Sequence, residues 1–186
     1  MDGLKYRKEL LDELGKTLMG VDEAEIEQAV QEIVNAGRIF FAGAGRAGLM
    51  MRAIAMRLMH LGYTCYVVGD VTTPSIQRGD LLIAASGKAE TKTSSYYVDV
   101  AKSTGAKTLV ITANPDGTVA KKADNVLVLI APRFRGDSDP VRHSVQPMGN
   151  RFEQSVLLVG DYIVKLIKEK SNLDVHVMYE NHATLE

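Results

Sequence analysis

The sequence predicts an α/β fold, a three-layer α-β-α sandwich around a five-stranded parallel sheet in the flavodoxin-like order 2-1-3-4-5. Three observations carry this expectation. Short apolar runs alternate with amphipathic stretches through the middle of the chain. The runs do not alternate internally between apolar and polar residues, which is how strands read when both faces are covered. Glycine-containing turns follow two of the runs directly, at 43–48 and 86–91.

The elements follow in order. Leu4, Leu10, Leu11, Leu14 and Leu18 give residues 4–18 a mostly helical spacing. Asp22 offers an N-cap, with Glu25 three residues on as a capping box. Ile26, Val30, Ile33 and Val34 carry that second helix to Gly37. Two helices thus precede the first strand, 38–42. A helix at about 46–61, strands at 63–68 and 80–85, and a helix at about 91–104 ending at Gly105 come next. Strand 107–112, a short helix near 117–123 and strand 125–130 complete the alternation.

Residues 131–148 form a long polar connection with Pro132, Pro140 and Pro147, a length that marks a functional or mobile segment. Beyond it, Phe152, Val156, Val159, Ile163 and Leu166 repeat at steps of four and three. That seam suits packing on another helix, including one from another subunit. Ser171-Asn172 breaks it, and a last amphipathic piece runs from Leu173 to about Asn181. The length of 186 residues predicts one domain, 1–186, with helices at both ends.

Composition narrows the function classes. The net charge of −1, with no basic run, argues against a nucleic-acid partner. A single cysteine, Cys65, excludes an internal disulfide and a Cys-based metal site, and reads as a small buried strand residue. No apolar run approaches the ~20 residues of a membrane span. The polar opening Met1-Asp2-Gly3-Leu4-Lys5 lacks a signal-peptide centre, so the expected compartment is the cytoplasm, with no membrane partner.

The two turns carry the chemistry. Ser86-Gly87-Lys88-Ala89-Glu90-Thr91 follows the run 80–85 and leads into a helix. Such a turn exposes backbone N–H groups, adds hydroxyl donors and stands at a positive helix N-terminus, which suits a phosphate. It is also what an ordinary N-capping turn looks like. Gly43-Ala-Gly45-Arg46-Ala-Gly48 follows the first strand and matches a dinucleotide fingerprint, with Asp70 standing as the ribose acid. Against a dinucleotide module stand the two helices before the first strand, the short chain, and a second phosphate-type turn left unused. The same glycines also serve tight packing. In the order 2-1-3-4-5 both turns open into the crevice at the switch point between the first and third strands.

The strings Arg52-Ala-Ile-Ala-Met-Arg-Leu-Met-His-Leu-Gly62, Gly69-Asp-Val-Thr-Thr-Pro-Ser75, Asp80-Leu-Leu-Ile83, Ser86-Gly87, Gln146-Pro-Met-Gly149 and Phe152-Glu153 resemble the 6-phospho-3-hexuloisomerase family of the sugar isomerase (SIS) fold group. The resemblance runs from about residue 20 to the end. It implies interconversion of D-arabino-3-hexulose 6-phosphate and D-fructose 6-phosphate, after hexulose-6-phosphate synthase in formaldehyde fixation by the ribulose monophosphate route. It also implies no metal or other cofactor, and a homotetramer with sites near subunit boundaries. The family pattern is Ser-Gly-Ser-Gly before the threonine; here the last two positions are Lys88 and Ala89, a cation and a residue that resists positive φ.

Moving a ketone from C3 to C2 through an enediol needs a base that reaches both carbons and a cation or N–H donor for the oxygens. The resemblance makes Glu153 the acid/base, although a carboxylate there also suits a helix N-terminus. It matches His182 to a histidine near the family's C-terminus that enters a neighbour's site, to assist proton movement or ring opening. Gly45 and Arg46 in the first turn and Ser86, Gly87, Lys88 and Thr91 in the second are the expected substrate and phosphate contacts. Thr72 and Thr73 either touch substrate or shape the turn before Pro74. His60 reads as structural, Met50, Met51, Met56 and Met59 as core or subunit packing, and His143 and His176 have no evident partner. Other sugar-phosphate isomerases of this fold, or a non-catalytic sugar-phosphate sensor, are the alternatives.

Overall fold

The computed structural model describes residues 3–133, 137–172 and 174–184. Helices α1 (Gly3–Met19) and α2 (Glu23–Asn35) lead into β1 (Ile39–Gly43) and α3 (Gly45–His60). Strands β2 (Cys65–Val67) and β3 (Leu81–Ala85), α4 (Lys92–Ser103), β4 (Lys107–Thr112), α5 (Thr118–Lys122) and β5 (Asn125–Val128) follow. The chain ends with α6 (Asn150–Lys170) and α7 (Val175–Glu180). The sheet is parallel throughout, in the order β2-β1-β3-β4-β5, as the sequence predicts.

The apolar runs fill both faces. Ile39, Phe41, Leu81, Ile83, Leu109, Ile111 and Leu127 join one core with α2, α3 and α6. Their chain neighbours Phe40, Ala42, Leu82, Ala84 and Val110 join another with α4 and α5. Successive strand residues point to opposite faces, so a strand covered on both sides shows no apolar–polar alternation.

One expectation is corrected and another is made specific. Asp22 does cap α2, accepting from Ala24 N at 2.8 Å, but Glu25 does not complete a capping box. Its carboxylate accepts instead from Val128 N in β5 at 2.7 Å, a tertiary contact that local sequence does not encode. Burial raises the Glu25 carboxyl above its ordinary range, against that hydrogen bond. The seam on α6 packs on another helix, as expected, and that helix belongs to this chain. Phe152, Val156, Val159 and Ile163 are buried in this chain's own core, against α3 in particular. Gly160 makes that approach close: a Cβ there would overlap the side chain of Ile54 in α3. The last amphipathic piece is α7, capped by Asp174 onto His176 N, while Leu173 lies outside the described residues. Residues 134–136 of the long connection lie outside them too.

Candidate active site

The site lies where β1 and β3 end side by side, with Gly43 in register with Ala85. Parallel strands send their carboxyl ends to one edge, so both turns emerge there. In the first turn, Gly43 and Gly48 bring strand and helix together. A Cβ on Gly43 would meet Gly48 N at 2.8 Å, and one on Gly48 would overlap the Gly43 carbonyl. Gly45 has φ +56, which puts its neighbour Arg46 at the mouth of α3.

The second turn has an asymmetric hydrogen-bond pattern. Ala89 N donates to Ser86 O at 3.0 Å, Ala113 N to Gly87 O at 3.1 Å and Val119 N to Ala89 O at 2.8 Å. Asn114 Nδ2 donates to Lys88 O at 3.1 Å. The carbonyls of Ser86, Gly87, Lys88 and Ala89 are therefore engaged. The N–H groups of Gly87, Lys88, Glu90 and Thr91 have no acceptor among the described residues. A concavity whose acceptors are mostly consumed and whose donors are free attracts an anion. Ser86 is buried, and its Oγ lies 2.9 Å from Thr91 Oγ1. Thr91 occupies the N-cap position of α4, yet its hydroxyl makes no cap bond. The first-turn N–H groups of α4 thus keep no side-chain cap, unlike an ordinary capped turn.

Ala89 adopts φ +52 and is fully buried. It enters the left-handed region in spite of its methyl group, held by its own hydrogen bonds and by contact with Gly117, where an added Cβ would lie 2.5 Å from the Ala89 Cβ. The Glu90 carboxylate accepts from Thr118 N and Oγ1, both at 2.8 Å, and those bonds hold its carboxyl below the usual range. Lys88 is exposed.

The first turn of α6 joins the two turns. The Phe152 ring lies against Gly87, where a Cβ would meet it at 3.2 Å. The next residue, Glu153, accepts from Arg46 Nη1 at 2.8 Å through Oε2. The same Arg46 nitrogen donates to Asn150 Oδ1 at 2.8 Å. Arg46 and Glu153, expected separately from the sequence, are thus one ion pair beside the phosphate-type turn. Asn150 and Phe152 were not legible as site residues; their one signal is position, three residues and one residue before Glu153.

Three expected residues stand elsewhere. Thr73 Oγ1 donates to Val67 O at 2.6 Å and shapes the turn after β2, at the same edge of the sheet but on its outer strand. Thr72, beside it, is exposed. His182 stacks on His60 with ring centroids 5.1 Å apart, at the far end of α3. At 1.5 Å per residue that is about 21 Å from Arg46, so His182 does not reach its own chain's Arg46–Glu153 pair. Asp70, the ribose acid of the dinucleotide reading, is held by Arg52 at 2.6 and 3.2 Å, and that pairing lowers its carboxyl.

The chain is similar over most of its length to proteins of one kind. Residues 32–136 match the profile of the SIS domain family. A 3-hexulose-6-phosphate isomerase of Bacillus subtilis is 37% identical over 186 residues, all of both chains. One from Mycobacterium gastri is 37% identical over 94% of this chain and 87% of its own. A solved Methanococcus jannaschii protein, from whose structure a 3-hexulose-6-phosphate isomerase function was inferred, superposes with a TM-score of 0.82 at 31% identity, all of both chains covered. No described helix is long and apolar enough to cross a membrane.

Proposed function

The chain belongs to the SIS domain family, and from that premise we propose that it is a hexulose-phosphate isomerase, interconverting D-arabino-3-hexulose 6-phosphate and D-fructose 6-phosphate. One observation carries the reading: the 2.8 Å Arg46–Glu153 pair stands beside a turn with free N–H donors. An isomerase needs both halves, whereas a phosphate sensor needs only the turn.

The chemistry follows from the placement. The phosphate docks on the N–H groups of Gly87, Lys88, Glu90 and Thr91 and on the α4 N-terminus, with Ser86 and Thr91 adding hydroxyls. Lys88 contributes a point charge to the dianion. Glu153 takes the C2 proton of the 3-ketose while the carbonyl oxygen on C3 gains one, giving the 2,3-enediol. The C2 hydroxyl then gives up its proton as C3 receives one, and the ketone is now at C2. Arg46 moves its fork onto the oxygens that carry the developing charge, and Gly45 gives it the room to do so. Thr73 shapes the turn after β2, outside this step.

The whole chain, 1–186, acts as one SIS unit with helices added at both ends. It assembles as a homotetramer with sites near subunit boundaries, and His182 serves a neighbour's site, in keeping with its distance from its own. The enzyme works in the cytoplasm on the product of hexulose-6-phosphate synthase.

The test is turnover of D-arabino-3-hexulose 6-phosphate with enzymatic detection of fructose 6-phosphate. Wild-type protein is expected to turn over, and Glu153→Gln to lose about 10²- to 10⁴-fold in kcat while still binding fructose 6-phosphate. Near-native turnover by folded Glu153→Gln would remove the base assignment. Binding of fructose 6-phosphate without wild-type turnover would make the protein a sensor, and saturation by NAD a dinucleotide module.

A further inference from the structure

The strap that delivers Glu153, residues 137–149, is held by a helix that ordinary α/β topology does not need. Glu13 of α1 is largely buried and accepts from Ser144 Oγ at 2.7 Å, Val145 N at 2.5 Å and Gln146 Nε2 at 3.2 Å. One turn on, Thr17 is fully buried, and its hydroxyl accepts from Arg151 Nε at 2.9 Å while donating to Ile130 O at 2.7 Å. Arg151 is the second residue of α6, and its Nη1 donates to His143 O at 2.7 Å and Val141 O at 3.3 Å. The strap is therefore gripped from two sides: α1 takes its donors, and Arg151 takes its carbonyls. Arg151 points into this cluster while Asn150 and Glu153, on the same first turn, reach Arg46.

We propose that Glu13 is a positioning residue for the candidate active site: with Thr17 and Arg151 it latches the strap and thereby sets the angle at which Asn150 and Glu153 meet Arg46. The inference deepens the isomerase reading and rests on Glu153 as the base. Glu13 touches none of the reacting groups. Its effect passes through Ser144–Gln146, Arg151 and the N-terminal turn of α6. The phosphate turn hangs by its hydrogen bonds on β3, β4 and α5 instead, and meets α6 at the Phe152 ring alone among the contacts described. Loosening the latch thus displaces the base and spares the phosphate grip, which predicts a loss in kcat rather than in KM.

The experiment uses the full chain with Glu13→Ala, Glu13→Gln and Ser144→Ala. Hydrogen exchange is followed at 137–153 and in the core strands, and kcat and KM are measured with D-arabino-3-hexulose 6-phosphate. Glu13→Ala is expected to speed exchange at the strap and at the Glu153 amide by about tenfold or more, with the core strands unchanged. It should lower kcat by about tenfold or more, since a displacement of 1 Å is enough for that, with KM within about twofold. Glu13→Gln, which keeps an acceptor, should recover part of the loss, and Ser144→Ala should show a smaller loss of the same kind. Unchanged kcat in Glu13→Ala, a loss confined to KM, or exchange that rises equally everywhere would each overturn the latch. If wild-type protein does not turn over, the isomerase reading falls, and the latch is then decided by exchange at the Glu153 amide alone.

Discussion

Gly160 in α6 lies against Ile54 in α3, and the start of those two helices carries the Glu153–Arg46 pair. Replacing Gly160 with alanine is therefore a test of both packing and site. A Cβ at 160 would overlap Ile54 Cδ1 and Cγ1 and stand 3.5 Å from Ile54 Cβ. Overpacking of this kind costs roughly 1–3 kcal/mol. Against it, alanine is better than glycine in a helix interior by ~1 kcal/mol. The balance is a net loss of about 1 kcal/mol, or a Tm lower by roughly 2–4 °C for a chain of this size. In an Ile54→Ala background the obstructing atoms are gone. There the same Gly160→Ala change should stabilise by about 1 kcal/mol, although Ile54→Ala alone costs roughly 2–5 kcal/mol. Urea unfolding of the four proteins measures the coupling. Destabilisation of equal size in both backgrounds would refute the close-approach argument. Turnover adds a second reading: Gly160→Ala should lower kcat by spreading the helices, and the double variant should regain part of it.

The remaining expectations concern single groups. Burial pushes the Cys65 thiol up to about 12, from an ordinary 9.0. Between those values the unfolded chain loses the proton and the folded one keeps it, so stability falls as pH rises, by at most ~1.4 kcal/mol per pH unit from this group. Cys65→Ala should flatten the fall between pH 9 and 11 in denaturant titrations, and identical slopes would sink the assignment. Lys88→Ser should raise KM for the sugar phosphate several-fold at low salt, with the gap closing as salt screens the exposed cation. Equal KM values at low salt would mean that Lys88 points away from the phosphate.

The fold was legible because its signals are local. The strand runs at 39–43 and 81–85 are apolar throughout, 107–112 is apolar at Leu109, Val110 and Ile111, and caps or glycines punctuate each helix. Site legibility divided along the same line. The Ser86–Thr91 turn and Arg46 declare themselves by sitting directly after strands. The role of Glu25 was misread because a glutamate three residues after an N-cap looks identical whether it bonds backward to the cap or outward to a strand 103 residues away. The α6 seam was read as a helix-packing face and packs on α3, but spacing is silent about which helix covers an apolar face. Asn150, Phe152 and the Glu13–Arg151 cluster depend on contacts between α6, the two turns and α1, which no window of sequence contains.

The Glu25 carboxylate has a consequence for how the sheet ends. β5 is the last strand on its side, bonded to β4 alone, and the edge of such a strand is a template for further pairing. By taking the Val128 N–H, and with Glu32 taking the Asn125 side chain at 2.9 Å, α2 occupies that rim from the flank. A sixth strand, or a stray chain seeking one, would have to evict a partly buried carboxylate before its first backbone bond could form. The helix placed ahead of the sheet in sequence is thus also its terminator, and Glu25→Ala would leave a folded protein more prone to edge-on self-association.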